Sequence, residues 1–295
     1  MRIDLHTHSS CSDGTDPPAG LVEVAARAGL DVIALTDHDT TAGWDEAAEA
    51  GSRLGVRVVP GVELSCRLDG IQVHMLGYRF DRAEPEFAGE REILRDDRER
   101  RAELIVERCR ELGAPITWDQ VRRIAGNAAI GRPHVASALV EAGVVPTVDA
   151  AFSSDWLADG GRAYVDKYAL DPVRAIDLVR TAGGVTVLAH PAAGARGRIL
   201  TDQQIAGLAE AGLRGIEADH VDHDAAARAR IRGLAAELGL AATGSSDYHG
   251  ARKTVPIGAN TTSPEAFEAL FGETLPDEDG SGEDGSGARP SGPGR

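Results

Sequence analysis

Apolar and polar positions follow two rhythms along the chain. Short apolar runs at residues 3–5, 32–35, 56–59, 71–76, 185–188, 215–218 and 241–244 have the length of buried strands. Between them, residues 21–28, 45–54, 172–182, 203–211 and 225–238 carry apolar side chains at three- and four-residue spacing, the period of a helix packed on one face. Strand-sized and helix-sized segments in alternation predict an α/β fold with a mainly parallel sheet.

The alternation stops between Tyr78 and Val185. There the sequence turns helical and charged, first in an Arg/Glu-rich stretch at 90–112, then at 117–125 and 134–142. Opposite charges three and four residues apart read as a solvated helix face, so this segment is expected to be an inserted helical subdomain. From 273 to 295 the chain is rich in Gly, Ser and Asp and has no apolar set to bury; a disordered tail is predicted.

The chain has 295 residues, 42% of them hydrophobic, enough to bury a substantial core. No apolar run approaches the roughly 18 residues of a membrane span, and residues 1–8 lack the basic and apolar regions of a signal peptide, so no membrane partner and a cytoplasmic location are expected. The net charge of −16 argues against a broad basic surface that would grip duplex DNA; bound cations are expected to offset part of it. Cys11, Cys66 and Cys109 are odd in number and widely spaced, which supports neither a disulfide framework nor a thiolate zinc site.

Histidines change the picture. Six of the nine stand in or just beyond the apolar runs, alongside carboxylates. In Asp4-Leu5-His6-Thr7-His8 the two-residue period of a strand places both histidines on one side. His38, between Asp37 and Asp39, follows the second run; Glu63 follows the third; His74 lies inside the fourth; His190 follows the fifth; Asp247 and His249 follow the last. Strand ends of parallel α/β folds converge on one face, where ligands bind. So many buried polar groups would be costly unless divalent cations satisfied them. Imidazole with carboxylate suits zinc, manganese or iron, and the number of ligands implies at least two ions, with three expected and Glu63 the candidate bridge.

The ordered motifs DLHTHSSCSDG, TDHDT, PGVELS, QVHMLGY, LAHP and GSSDYHG closely resemble the PHP family, named for polymerase and histidinol phosphatase domains. The resemblance implies a distorted (β/α)7 barrel formed by residues 1–85 and 170–272, with a helical insertion at 86–169 capping the site. It also implies a trinuclear centre in which His6, His8, Glu63 and Asp247 hold one ion, Asp13, His38 and His249 a second, and Glu63, His74 and His190 a third. The segment Gly131-Arg132-Pro133-His134 resembles the RPH motif of a standalone branch that includes nucleoside 3′,5′-bisphosphate phosphatases and 5′-to-3′ exoribonucleases. Arg132 and His134 would then hold a substrate phosphate. His223, like His220 at a position where that branch tends to carry histidine, is a further candidate for that role or for proton donation. The loop at 192–198 and Val221 depart from the branch pattern.

The implied function is hydrolysis of phosphate esters by metal-bound hydroxide, with His6, His8, Glu63, Asp247 and His249 at the reacting centre. The expected substrate is a 3′,5′-bisphosphonucleoside or the 5′ end of a short RNA. Alternatives are a phosphatase for histidinol phosphate or another small phosphomonoester and, in a different class, a non-catalytic metal-stabilised binding module.

Overall fold

The computed structural model describes residues 1–126, 130–194 and 197–272; the predicted tail lies outside them. Seven strands form one sheet in chain order: β1 (Ile3–Thr7), β2 (Val32–Leu35), β3 (Arg57–Leu68), β4 (Ile71–Tyr78), β5 (Val185–Ala189), β6 (Gly215–Asp219) and β7 (Ala241–Gly244). Each coincides with an apolar run expected to form a strand, although β3 begins at Arg57, one residue into its run, and extends well beyond it. The sheet curls until Thr7 pairs with Tyr248 and Ile3 with Thr262, nearly closing a barrel.

Four neighbouring pairs are parallel, but β4 is antiparallel to both β3 and β5. The cause is local. Asp69 and Gly70 both adopt positive φ, 49° and 74°, and join β3 to β4 in a two-residue hairpin, for which Asp-Gly is a favoured pair. The reversal sets His74 opposite Ser65 on one side and Ala189 on the other.

Helices α1 (Pro18–Arg27), α2 (Trp44–Leu54), α7 (Pro172–Thr181), α8 (Asp202–Glu210), α9 (Ala225–Leu238) and α10 (Pro264–Phe271) accompany the strands. Phe267 and Leu270 of α10 join Ile3, Val32, Val59 and Val187 in one buried cluster, so this last helix seals strands near their N-terminal ends.

Between β4 and α7 run α3 (Pro85–Glu111), α4 (Trp118–Ala125), α5 (Arg132–Glu141) and α6 (Val148–Ala151). Their cluster, including Ile105, Val121, Leu139 and Leu157, takes no residue from the sheet. Helix α3 spans two cores: Phe87 and Leu94 pack with the barrel, Ala102 and Ile105 with the other helices. Among the described residues no helix is long and apolar enough to cross a membrane.

Candidate metal centre

The His-x-His pair leaves β1 with both rings fully buried and their Nε2 atoms 3.1 Å apart. Glu63 Oε2 lies 3.2 Å from His6 Nε2 and 3.1 Å from His8 Nε2, and Asp247 Oδ1 lies 3.6 and 3.4 Å from the same two atoms. A tetrahedral ion with ligands at about 2.0–2.1 Å has donor–donor edges of about 3.3–3.4 Å. The separations among His6, His8 and Asp247, and those of Glu63 from the two imidazoles, are close to such edges.

Glu63 is the hub. Its Oε2 is also 3.3 Å from His38 Nδ1, while Oε1 faces His74 Nδ1 at 2.6 Å and His190 Nε2 at 3.2 Å. Asp13 gathers a further set, with His249 Nε2 at 3.3 Å, His8 Nδ1 at 3.7 Å and His38 Nε2 at 3.8 Å. His8 and His38 thus each turn one ring nitrogen toward Asp13 and the other toward Glu63. All nine predicted ligand positions converge in this one cluster.

Supporting groups hold the donors in place. Asp37 accepts from Ser9 N–H at 2.8 Å and from the Ser9 and Ser12 hydroxyls at 2.6 Å, pinning the loop that carries Asp13. Gly14 ends that loop because a Cβ there would sit 2.4 Å from His8 O. The His249 Nδ1–H donates to Asp247 O at 2.8 Å, which leaves Nε2 facing Asp13. Asp39, His190 and Asp247 have positive φ, an arrangement that costs of order 1–3 kcal/mol each and concentrates at functional sites.

Electrostatics show how the cluster is poised for cations. Burial lowers the His6 imidazole, but Glu63, Glu217 and Asp247 hold it well above its ordinary value. Burial is likewise overcome at His8, pushed up to about 9 by Asp247 and Glu63. Burial raises Glu63, yet His38, His74 and His6 hold it well below the usual carboxylate range. His8 Nδ1, His38 Nδ1 and His220 Nε2 are buried without a hydrogen-bond partner among the described residues. Such a pocket draws in positive charge, and divalent cations supply it at these donors without protonating them.

The PHP domain family profile matches residues 4–115. The phosphoribosyl 1,2-cyclic phosphate 1,2-diphosphodiesterase of Eggerthella lenta is 34% identical over 262 residues, 87% of this chain and 97% of that protein. The chain belongs to the PHP family. The 5′-3′ exoribonuclease Rnm of Salmonella typhimurium is 32% identical over 91% of this chain and 92% of its own. The 3′,5′-nucleoside bisphosphate phosphatase of Chromobacterium violaceum is 34% identical over 84% and 87%. A metal-dependent phosphoesterase structure from Bifidobacterium adolescentis superposes with a TM-score of 0.88 at 36% identity, covering 93% of this chain and 96% of that one. The protein is accordingly a metal-dependent phosphoesterase with the family's α/β barrel.

In this PHP enzyme several site groups lie beyond those the motifs named. Glu217 is buried in β6 and its Oε1 stands 3.2 Å from His6 Nδ1; it also accepts from His190 N–H at 2.8 Å and from the Ser245 hydroxyl. A carboxylate on the far nitrogen of a ligand imidazole fixes its tautomer and orientation. His220 is fully buried, with Nε2 3.4 Å from Asp247 Oδ2, and the Lys253 ammonium lies 2.7 Å from that oxygen. A polar residue inside the apolar run at 215–218 was the signal for Glu217, the same signal that singled out His74.

The charged helix holds another. Phe87, Arg91, Leu94, Arg98, Arg101 and Ile105 fall at alternating four- and three-residue steps on one face of α3. Five of these six are buried and Arg98 is half-buried, so the arginines of this stripe are turned inward and not solvated as the charge pattern predicted. Arg98 pairs with Asp39 at 2.6 Å, and Arg101 Nε donates to Val165 O at 2.6 Å while its Nη2 is buried without a hydrogen-bond partner among the described residues. With Arg132 and Lys167 they line a cavity that also touches Asp13, His38 and His74.

The three predicted substrate contacts fare differently. Arg132 Nη1 donates to Leu157 O at 3.0 Å and Asp159 Oδ1 at 2.8 Å; its other N–H groups make no hydrogen bond among the described residues. His134 is buried and its Nδ1 accepts from Gly131 N–H at 3.1 Å; burial pushes it down to about 4, so the ring is neutral. His223 has both nitrogens engaged, Nδ1–H with Ala218 O at 2.9 Å and Nε2 with Ala192 N–H at 3.1 Å. It ties β6 to the loop after β5, so both nitrogens are already committed where a phosphate contact or proton donation was expected of it.

Proposed function

We propose that this enzyme removes phosphate from nucleotides carrying phosphates at both the 3′ and 5′ positions, or from the 5′ end of short RNA. The observation that carries the reading is the adjacency of two anion-seeking regions. The metal cluster would take the reacting phosphate, and Arg98, Arg101, Arg132 and Lys167 would take the other in the cavity beside it. His6, His8, Asp13, His38, Glu63, His74, His190, Asp247 and His249 would hold up to three manganese, iron or zinc ions. Divalent ions in such a site lower the pKa of bound water and stabilise charge on the phosphoryl oxygens.

The chain's own groups do the rest. Glu63 would anchor the ions together, His6 and His8 fix the reacting side, Asp247 and His249 close the opposite side, and Arg132 orients the phosphate with its remaining N–H groups. His134 holds Arg132 in place through the turn at Gly131. An RNA end is compatible because cavities of about 520 and 610 Å³ both reach Phe152, leaving room for a continuing strand. The net charge of −16 disfavours duplex partners, and we place the enzyme in the cytoplasm.

The test is phosphate release by the manganese-loaded protein from adenosine 3′,5′-bisphosphate, a 5′-phosphorylated RNA oligomer and histidinol phosphate. Turnover of the first or second well above the third is expected; selective turnover of histidinol phosphate would overturn the reading.

Lys167 gives a pH signature. Burial, with Arg98, Arg101 and Arg132 nearby, pushes its ammonium down to about 7. A bound phosphate favours the charged form, so binding is at full strength below about 7 and weakens as pH rises past it. KM for the bisphosphate is expected to be flat from pH 6 to 7 and to climb towards pH 9. In Lys167→Met, KM should be raised at pH 6 and the climb should disappear.

A further inference from the structure

The cavity of about 610 Å³ beside the metal cluster has a floor and walls of different chemistry. Asp13, Glu63 and Asp247 line it with Arg252 and Lys253, and the Lys253 ammonium donates to Asp247. The walls are apolar, with Pro133, Val148 and Phe152 from the helical insertion and Val221 and Val255 from the barrel loops.

Phe152 and Val221 are each 37% exposed, which places them among the few large apolar side chains left to solvent in the described residues. Neither belongs to any of the hydrophobic clusters that hold the fold together. Packing therefore does not account for them. Phe152 follows α6 and lines all three cavities that meet at the metal cluster, and the Arg132 guanidinium lies 5.7 Å from its ring centroid. A cation behind one face leaves the ring able to receive a flat π-system on the other. Tyr168, the other exposed aromatic at the site, is tied through its hydroxyl to Glu90.

We infer that this cavity is a nucleobase slot, in which Phe152 is the stacking platform, Val221 the opposite wall, and Asp149 and Asp222 at the rim acceptors for ring amino groups. The inference rests on the nucleotide reading above and adds the part of the substrate that reading leaves open. The phosphates belong to the metal cluster and the arginine-rich cavity; the acidic rim and apolar walls suit an uncharged aromatic base. Phe152 and Val221 are specificity residues, and their contribution is read as preference for a base-bearing ester over the same ester without its base.

The experiment compares kcat/KM of the manganese-loaded full chain for adenosine 3′,5′-bisphosphate and for the abasic 1-deoxyribose 3,5-bisphosphate. Stacking on one aromatic predicts that Phe152→Ala lowers the preference for the base about tenfold, mainly through KM. Phe152→Trp should retain it, and Val221→Glu should lower it in the same direction. Equal losses on both substrates, or an undiminished preference in Phe152→Ala, would remove the slot while leaving the nucleotide reading in place. A wild-type enzyme that turns over neither bisphosphate would remove both.

Discussion

Glu63→Gln abolishes most activity: kcat/KM is expected to fall on the order of 10³-fold, the scale at which losing one reaction-centre electrostatic contact acts. The substitution keeps the shape of a side chain that is 1% exposed, so the barrel should remain folded. What changes is charge and donor type. A carboxylate can bridge ions through both oxygens, and Oε1 and Oε2 of Glu63 face five imidazoles between them, those of His6, His8, His38, His74 and His190. An amide offers one weak donor oxygen and an N–H group that repels cations. Metal content per chain should fall with activity, and excess manganese should not restore the rate. A fully metallated, fully active Glu63→Gln protein would show that the bridge lies elsewhere.

Glu217→Gln should produce the next largest loss, 10- to 100-fold in activity or metal affinity, which is the usual effect of removing a carboxylate behind a ligand histidine. Its signature differs from that of Glu63. Glu217 contacts His6 Nδ1 and the backbone of His190 and is held low by these neighbours against the effect of burial. An amide could still accept those bonds but would no longer stabilise the His6 ring in its ligating orientation as strongly. Saturating manganese is therefore expected to recover much of kcat in this variant. A loss unmoved by metal concentration would assign Glu217 a direct part in the reaction.

Much of the barrel was legible because each strand is an apolar run bounded by helix-period segments, and the polar residues at the run ends stand out against it. The His-x-His pair, Glu63, His74 and the Asp247–His249 pair were visible for that reason. The reversal at β4 was legible only in Asp69-Gly70, a hairpin dipeptide within what reads as two consecutive apolar runs. Helix α10 leaves only a weak trace in the sequence, although Ser263 caps it and Pro264 begins it, since its apolar face is short. Arg98 and Arg101 were hidden by a charge pattern that also suits a solvated helix; only their register with Phe87, Leu94 and Ile105 distinguishes them. His223 shows the opposite failure. Its residue type suited a phosphate contact, but the carbonyl of Ala218 and the N–H of Ala192, which occupy both ring nitrogens, come from β6 and from the loop after β5, which no sequence spacing brings together.

The most direct test is anomalous diffraction from crystals of the manganese-loaded protein. Peaks are expected inside the cluster, one of them about 2.0–2.2 Å from His6 Nε2, His8 Nε2, a Glu63 oxygen and an Asp247 oxygen. An enzyme that hydrolyses phosphate esters at full rate with no ion among these residues would contradict the account.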